Sequence, residues 1–311
     1  MKGHDVEIDE LRAAGPGRDA RGAVDEAAGR SSASMSRPAS GADLSARRSS
    51  QRRAARRRGM ALIAGALALG TAWVIYHPVE AARLPPAAER HYPAPGFEEK
   101  PTALGIVPPA PATDAPYAFT RTDGATIPVS WSPCRPIHYV VAGEGAPAGF
   151  HDQVITVIAE VSAATGLKFV DDGASVEAPN FERLPFQPTV YGDRWAPVLI
   201  EFADETTIER LSGPVLGVTK VTHTRDATTG VTHLVSGAVY LDTEILPRPN
   251  AHGHPAYVPV LRHELGHLVG LKHVDDVTQV MNATLTDVTA FQPGDLAGLA
   301  ALGRGACAPG I

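Results

Sequence analysis

The chemistry of this chain concentrates in His263-Glu264-Leu265-Gly266-His267-Leu268-Val269-Gly270-Leu271-Lys272-His273. On a helix His263 and His267 lie four residues apart, so both imidazoles project from one face and can bind one ion. Glu264 falls about 100° further round the turn. It is too far to make a good third ligand and well placed to take a proton from a water that the ion activates. Gly270 can adopt the left-handed conformation that ends a helix, which lets the chain reverse and return His273 to the same point. Three neutral imidazoles with one position left over make the pattern of a catalytic rather than a structural zinc site. The chemistry they suit is metal-assisted amide hydrolysis, with Glu264 as the base that passes its proton to the leaving nitrogen.

These residues need a helix over 258–269, with Pro259 tolerated in its first turn and Leu261, Leu265 and Leu268 facing inward. Upstream, the apolar β-branched runs 127–129 and 137–141 read as a first strand region interrupted at Pro133-Cys134. A helix is expected over 150–164, with Val154, Ile155, Ile158 and Val161 in the core. Strands are expected over 167–170, ended by the turn Asp171-Asp172-Gly173, and over 198–202, 217–223 and 238–242.

The spacing of His263, Glu264, His267, Gly270 and His273 resembles the HExxHxxGxxH signature of the metzincin zinc endopeptidases. Met281, in Gln279-Val280-Met281-Asn282, is similar to the Met-turn of the matrixin branch, and 291–303 is similar to its closing helix, with Gly294 replacing the first acid of an acidic pair. The resemblance implies an α+β fold, a twisted mixed sheet with an active-site helix and a C-terminal helix. It also implies one catalytic Zn2+ on His263, His267 and His273, Glu264 as catalytic base, and Met281 as a packed floor under the imidazoles. By the same resemblance, 217–223 would be the edge strand on which an extended peptide substrate pairs. Some metzincins carry a tyrosine two residues after the methionine; here that position is Ala283.

Four regions are expected. Residues 1–59 have almost no large apolar side chains, so they are expected to form a disordered cytoplasmic tail. Residues 60–76, an uncharged run preceded by the arginines at 47–58, read as a single transmembrane signal anchor. The catalytic domain would then be extracellular. The alternative is a secretory signal cleaved near Val79-Glu80-Ala81 and a secreted protein. Residues 77–116 are dense in proline and expected to be an extended spacer, and 117–311 form the catalytic domain.

The two cysteines, Cys134 and Cys307, lie near the ends of that domain and read most simply as one disulfide. Ser132-Pro133-Cys134-Arg135-Pro136 also has a faint look of the matrixin cysteine that plugs the zinc, although such a plug should precede the domain. His223, His233, His252 and His254 are taken as solvated or ordinary polar histidines, because the His-x-Asp arrangement of a second zinc is missing; no structural Zn2+ or Ca2+ is supported. Asp275 and Asp276 are expected to orient backbone around His273 and the Met-turn.

The net charge of −6 is spread over an acidic start, a basic block and a mixed remainder, so no nucleic-acid partner follows. The expected partners are a protein or peptide substrate and, through 60–76, the membrane. The alternative to a membrane-tethered endopeptidase is a non-catalytic zinc-containing module that binds peptides or cell-wall components through the same cleft.

Overall fold

The computed structural model describes residues 5–13, 91–124, 126–246 and 255–311, all of which belong to one compact unit. In chain order its elements are β1 (Asp5–Arg12), β2 (Ala118–Phe119), β3 (Thr122–Asp123), β4 (Ile127–Pro128), β5 (Ser130–Trp131), β6 (Ile137–Val141), α1 (Phe150–Thr165), β7 (Phe169–Ala174), α2 (Pro188–Tyr191), β8 (Val198–Ala203), β9 (Val215–Arg225), β10 (Thr232–Asp242), α3 (Tyr257–Val269), β11 (Leu271–Lys272) and α4 (Pro293–Leu302).

Seven strands form one mixed sheet in the order β1-β9-β10-β8-β6-β7, with β5 also paired to β10. β6, β7, β8 and β10 run parallel where they pair, and β9 and β1 are antiparallel to their neighbours. This mixed α/β architecture of a seven-stranded sheet and four helices replaces the α+β arrangement expected from the sequence. The central strands β8 and β10 are buried on both faces. Val198, Ile200 and Phe202 point into the core shared with α1 and α3, while Leu199 and Tyr240 belong to a second apolar cluster that Phe181 and Tyr191 cover.

The largest departure from the sequence reading is β1. Asp5–Arg12 falls in the stretch expected to be disordered, yet it pairs along the outer edge of β9, Asp5 opposite His223 and Leu11 opposite Gly217. β9 is therefore an inner strand rather than the edge. Leu11 is buried in the main core, and burying one leucine contributes about 1.5–3 kcal/mol beside the backbone pairing along β9.

The same pairing overturns the single-pass topology. β1 and β9 are neighbours in one sheet and must share a compartment, whereas one membrane crossing between residues 13 and 91 would separate them. Among the described residues no helix is long and apolar enough to cross a membrane. The run 60–76, the cleavage site near Ala81 and the arginine block lie outside the described residues.

The described part of the proline-rich segment, 91–116, has neither helix nor strand but does not project as a spacer. It runs along the domain, with Lys100 N donating to Cys134 O at 2.8 Å, Leu104 N to Pro133 O at 2.9 Å and Gly96 N to Ile311 O at 2.8 Å.

Two smaller differences have local causes. In α1 the buried face is Val154, Val157, Ile158 and Val161, and Ile155, one residue off that stripe, is exposed. β7 continues through Asp171-Asp172-Gly173 instead of stopping before it, because it is an edge strand whose polar side chains face water and Asp171 Oδ1 accepts the Gly173 N–H at 2.8 Å.

Candidate metal centre

α3 is placed by packing on β9 and β10 and against α1. Arg262 fixes its rotation by a two-pronged ion pair to Glu160 at 2.7 and 2.9 Å and a further bond to the Thr289 carbonyl. Trp131 Nε1 donates to Leu268 O at 2.8 Å from the other side. The helix ends at Gly270, whose φ of 116° is one that side chains rarely adopt. The reversal there carries the chain through β11 and returns His273 to the helix face.

The three Nε2 atoms converge: His263 to His267 2.9 Å, His267 to His273 3.0 Å, and His263 to His273 3.1 Å. His263 Nδ1 faces Val280 O at 2.7 Å and His267 Nδ1 faces Leu271 O at 2.8 Å. Each of these nitrogens therefore carries the hydrogen, and the lone pairs fall on Nε2. Acceptor lone pairs aimed at one another repel unless a cation lies between them. An ion bound through imidazole nitrogen at about 2.0–2.1 Å, as zinc is, suits a triangle of this size. His263, His267 and His273 thus form a cluster able to hold a metal ion.

Burial sets the charge state. It lowers His263 to about 3, helped by His273 and opposed by the Val280 carbonyl. His267 is pushed well below the usual range, first by burial and then by its two neighbours. His273 falls to about 4 through burial and the charges of Lys272 and Arg12. All three are neutral, the form that binds metal.

Glu264 is fully buried. Its Oε2 accepts the Thr219 hydroxyl at 2.6 Å, and Oε1 has no partner at hydrogen-bonding distance. Burial raises its pKa well above the usual range. The Thr219 hydrogen bond opposes this, the charges of Asp9 and Glu10 add to it, and the Leu11 N–H, directed at the carboxyl, holds it down. A Cβ at Gly217 would come 2.7 Å from Glu264 Oε1, so the strand above the carboxyl is free of a side chain at that point.

Met281 is buried beneath α3, where a Cβ at Gly266 would lie 2.5 Å from its sulfur. Its turn also supplies the Val280 carbonyl that orients His263. The turn is held by Asp295, which accepts from Val280 N at 2.9 Å and Met281 N at 3.3 Å while capping α4 through Gln292 N at 2.9 Å. Asp295 N in turn donates to Gln279 Oε1 at 3.0 Å. A Cβ at Gly294 would meet Pro116 O at 2.5 Å and Gln279 Oε1 at 2.7 Å, so the replaced acid has no room here. Asp276 closes its own turn by accepting from Thr278 N at 2.9 Å.

Cys134 and Cys307 are joined in a disulfide with Cα atoms 5.3 Å apart, in a group separate from the three imidazoles. His223 and His233 are not solvated. Both are buried in the β9–β10 ladder, and neither joins a cluster of three or more metal-binding side chains among the described residues. His252 and His254 lie outside the described residues.

Thr219, Gly217 and Asp295 were not singled out from the sequence. Asp295 had a readable signal, since Gln292-Pro293-Gly294-Asp295 is a helix start with a capping box. Thr219 and Gly217 had none, because their place depends on strand register. No protein-family model matches the chain, and no curated protein matches it.

Proposed function

We propose that the chain is a metal-dependent endopeptidase working in the manner of the metzincins, which its motif resembles. The observation that carries this reading is the convergence of three imidazole Nε2 atoms beside a buried carboxyl whose Oε1 has no partner. Zn2+ held by His263, His267 and His273 would supply Lewis acidity, lowering the pKa of water and polarising a scissile carbonyl.

The chain's own residues do the rest. Val280 O and Leu271 O fix the tautomers of His263 and His267, keeping Nε2 as the ligand atom. Glu264 Oε1 takes the proton of the attacking water and delivers it to the leaving nitrogen. Thr219 holds the other carboxyl oxygen, so the base presents one defined atom to the reaction. Burial on all sides keeps bulk water from competing for that proton.

The test is Glu264→Ala in the full chain. It should keep one bound metal ion per chain and lose peptide cleavage by about a thousandfold or more. Undiminished cleavage would reject the mechanism. A second reading, a peptide-binding module without catalysis, is favoured by the strand that lies along the groove beside Glu264. Metal-loaded wild type that cleaves no member of a broad peptide library would select it.

A further inference from the structure

The segment 91–116 brings a carboxylate to the disulfide. Lys100 N donates to Cys134 O at 2.8 Å, and the residue before it, Glu99, lies against the two sulfurs. One carboxylate oxygen of Glu99 and the Sγ atoms of Cys134 and Cys307 all lie within 4.8 Å of one another.

The Glu99 side chain is 5% exposed. Its Oε1 is held twice, accepting from Ser132 Oγ at 2.7 Å and from Ala308 N at 2.6 Å. Ser132 Oγ accepts in turn from Cys134 N at 3.2 Å, which ties the carboxylate to the backbone of one cysteine. Oε2 is left with no hydrogen-bond partner. Arg135 Nε stands 3.7 Å from it, while Arg135 Nη1 donates to Ile311 O at 3.0 Å. A buried carboxylate oxygen without a donor is costly, and few are found in folded proteins.

We propose that reduction of the Cys134–Cys307 bond turns this group into a second metal site, which takes a thiophilic divalent cation such as Zn2+ on two thiolates and Glu99 Oε2. The reductant is a dithiol, and it attacks at Cys307, which is partly exposed, whereas Cys134 is fully buried. One thiolate of the dithiol bonds to Cys307 Sγ, and Cys134 Sγ leaves with the electron pair of the disulfide. The second sulfur of the dithiol closes on the first, Cys307 leaves as thiolate, and the dithiol departs as its cyclic disulfide. Its two protons go to solvent, because the cation takes both cysteines as thiolates.

Zinc–sulfur bonds of about 2.3 Å and zinc–oxygen bonds of about 2.0–2.2 Å suit ligand atoms held this close. Three anionic ligands exceed the charge of a divalent ion by one, and the Arg135 guanidinium offsets the excess. The bonds from Ser132 and Ala308 orient the carboxylate from behind. The ion then joins 91–116 to the two ends of the domain, as the disulfide does in the oxidised chain. None of this depends on the peptidase reading.

The experiment uses the full chain. Its disulfide is opened with a phosphine, the phosphine is removed without air, and Co2+ is added. A near-ultraviolet thiolate-to-cobalt charge-transfer band should grow in the reduced protein to the intensity of two thiolates per ion. The oxidised protein should lack the band, since imidazoles do not give it. Glu99→Gln keeps an acceptor for Ser132 and Ala308; it should form the disulfide normally and, once reduced, bind Co2+ about tenfold or more weakly. Zn2+ should slow alkylation of both cysteines in reduced wild type by about tenfold or more. Absence of the band from the reduced protein would overturn the proposal, as would alkylation that Zn2+ leaves unchanged. A reduced chain that had lost its fold would bind through its thiols alone. Equal Co2+ affinity in wild type and Glu99→Gln would reveal that and overturn the proposal as well.

Discussion

The Thr219 hydroxyl lies 2.6 Å from Glu264 Oε2, a strand residue holding the carboxyl of a helix residue from the opposite wall of the cleft. Thr219 is the side-chain donor that holds this carboxyl, while Oε1 is left without a partner.

Thr219→Val keeps the shape and removes that donor. Peptide cleavage should fall about 10- to 100-fold in kcat with little change in KM, while metal content stays at the wild-type level. Thr219→Ser should restore most of the loss, which separates positioning of the base from simple packing. Equal activity in the valine variant would show that Glu264 is aligned by other means.

Gly266 lies directly over Met281. An added methyl would sit 2.5 Å from the sulfur, closer than any ordinary contact. Gly266→Ala should therefore destabilise the protein by about 1–3 kcal/mol in urea unfolding, despite alanine's better helix propensity. Pairing it with Met281→Ala should make the two changes cost less than their sum.

The disulfide between Cys134 and Cys307 closes a loop spanning 173 positions of sequence. Constraining a loop of that size in the unfolded chain contributes about 3–5 kcal/mol. Urea unfolding with and without reductant, or of Cys307→Ser, should show a drop of that order. A change below about 1 kcal/mol would mean that the packing of 91–116 already fixes these ends.

Glu201 is buried in β8 with no hydrogen-bond partner on either carboxyl oxygen. Burial first, then the like charge of Glu177, raise its pKa from 4.5 to about 8 against the pull of Arg183. A folded-state pKa above the unfolded one means that the fold binds the proton more tightly. Stability is then greatest below about 4.5 and is lost as pH rises through about 8. Glu201→Gln should leave stability near pH 4.5 unchanged and raise it at pH 8 by about 2–4 kcal/mol. Thermal melts of both proteins across this range check the sign; a wild type that grows more stable over the same rise would contradict it.

The ligand set was readable because it is local. His263, Glu264, His267 and Gly270 are fixed by helix geometry, and His273 follows from the turn at Gly270. Strand positions were readable where β-branched runs were long, as in Val198–Ala203. What escaped the sequence depends on distant packing: Thr219 reaches Glu264 only because β9 lies directly against α3. The alternation in Val6-Glu7-Ile8-Asp9 is itself a strand signal, but it was submerged in the polar, small-residue composition of the stretch around it. The membrane topology failed for the same reason, since it treated everything before residue 60 as one kind of segment.

In the sheet, β1 comes from the start of the chain and β9 from Val215–Arg225, with Ile8 set against Lys220. On the ribosome the strand made first therefore has no partner until roughly two-thirds of the chain has emerged, and closing so long a loop is slow. Docking of Leu11 then waits on long-range closure rather than on any contact local to its own stretch of chain.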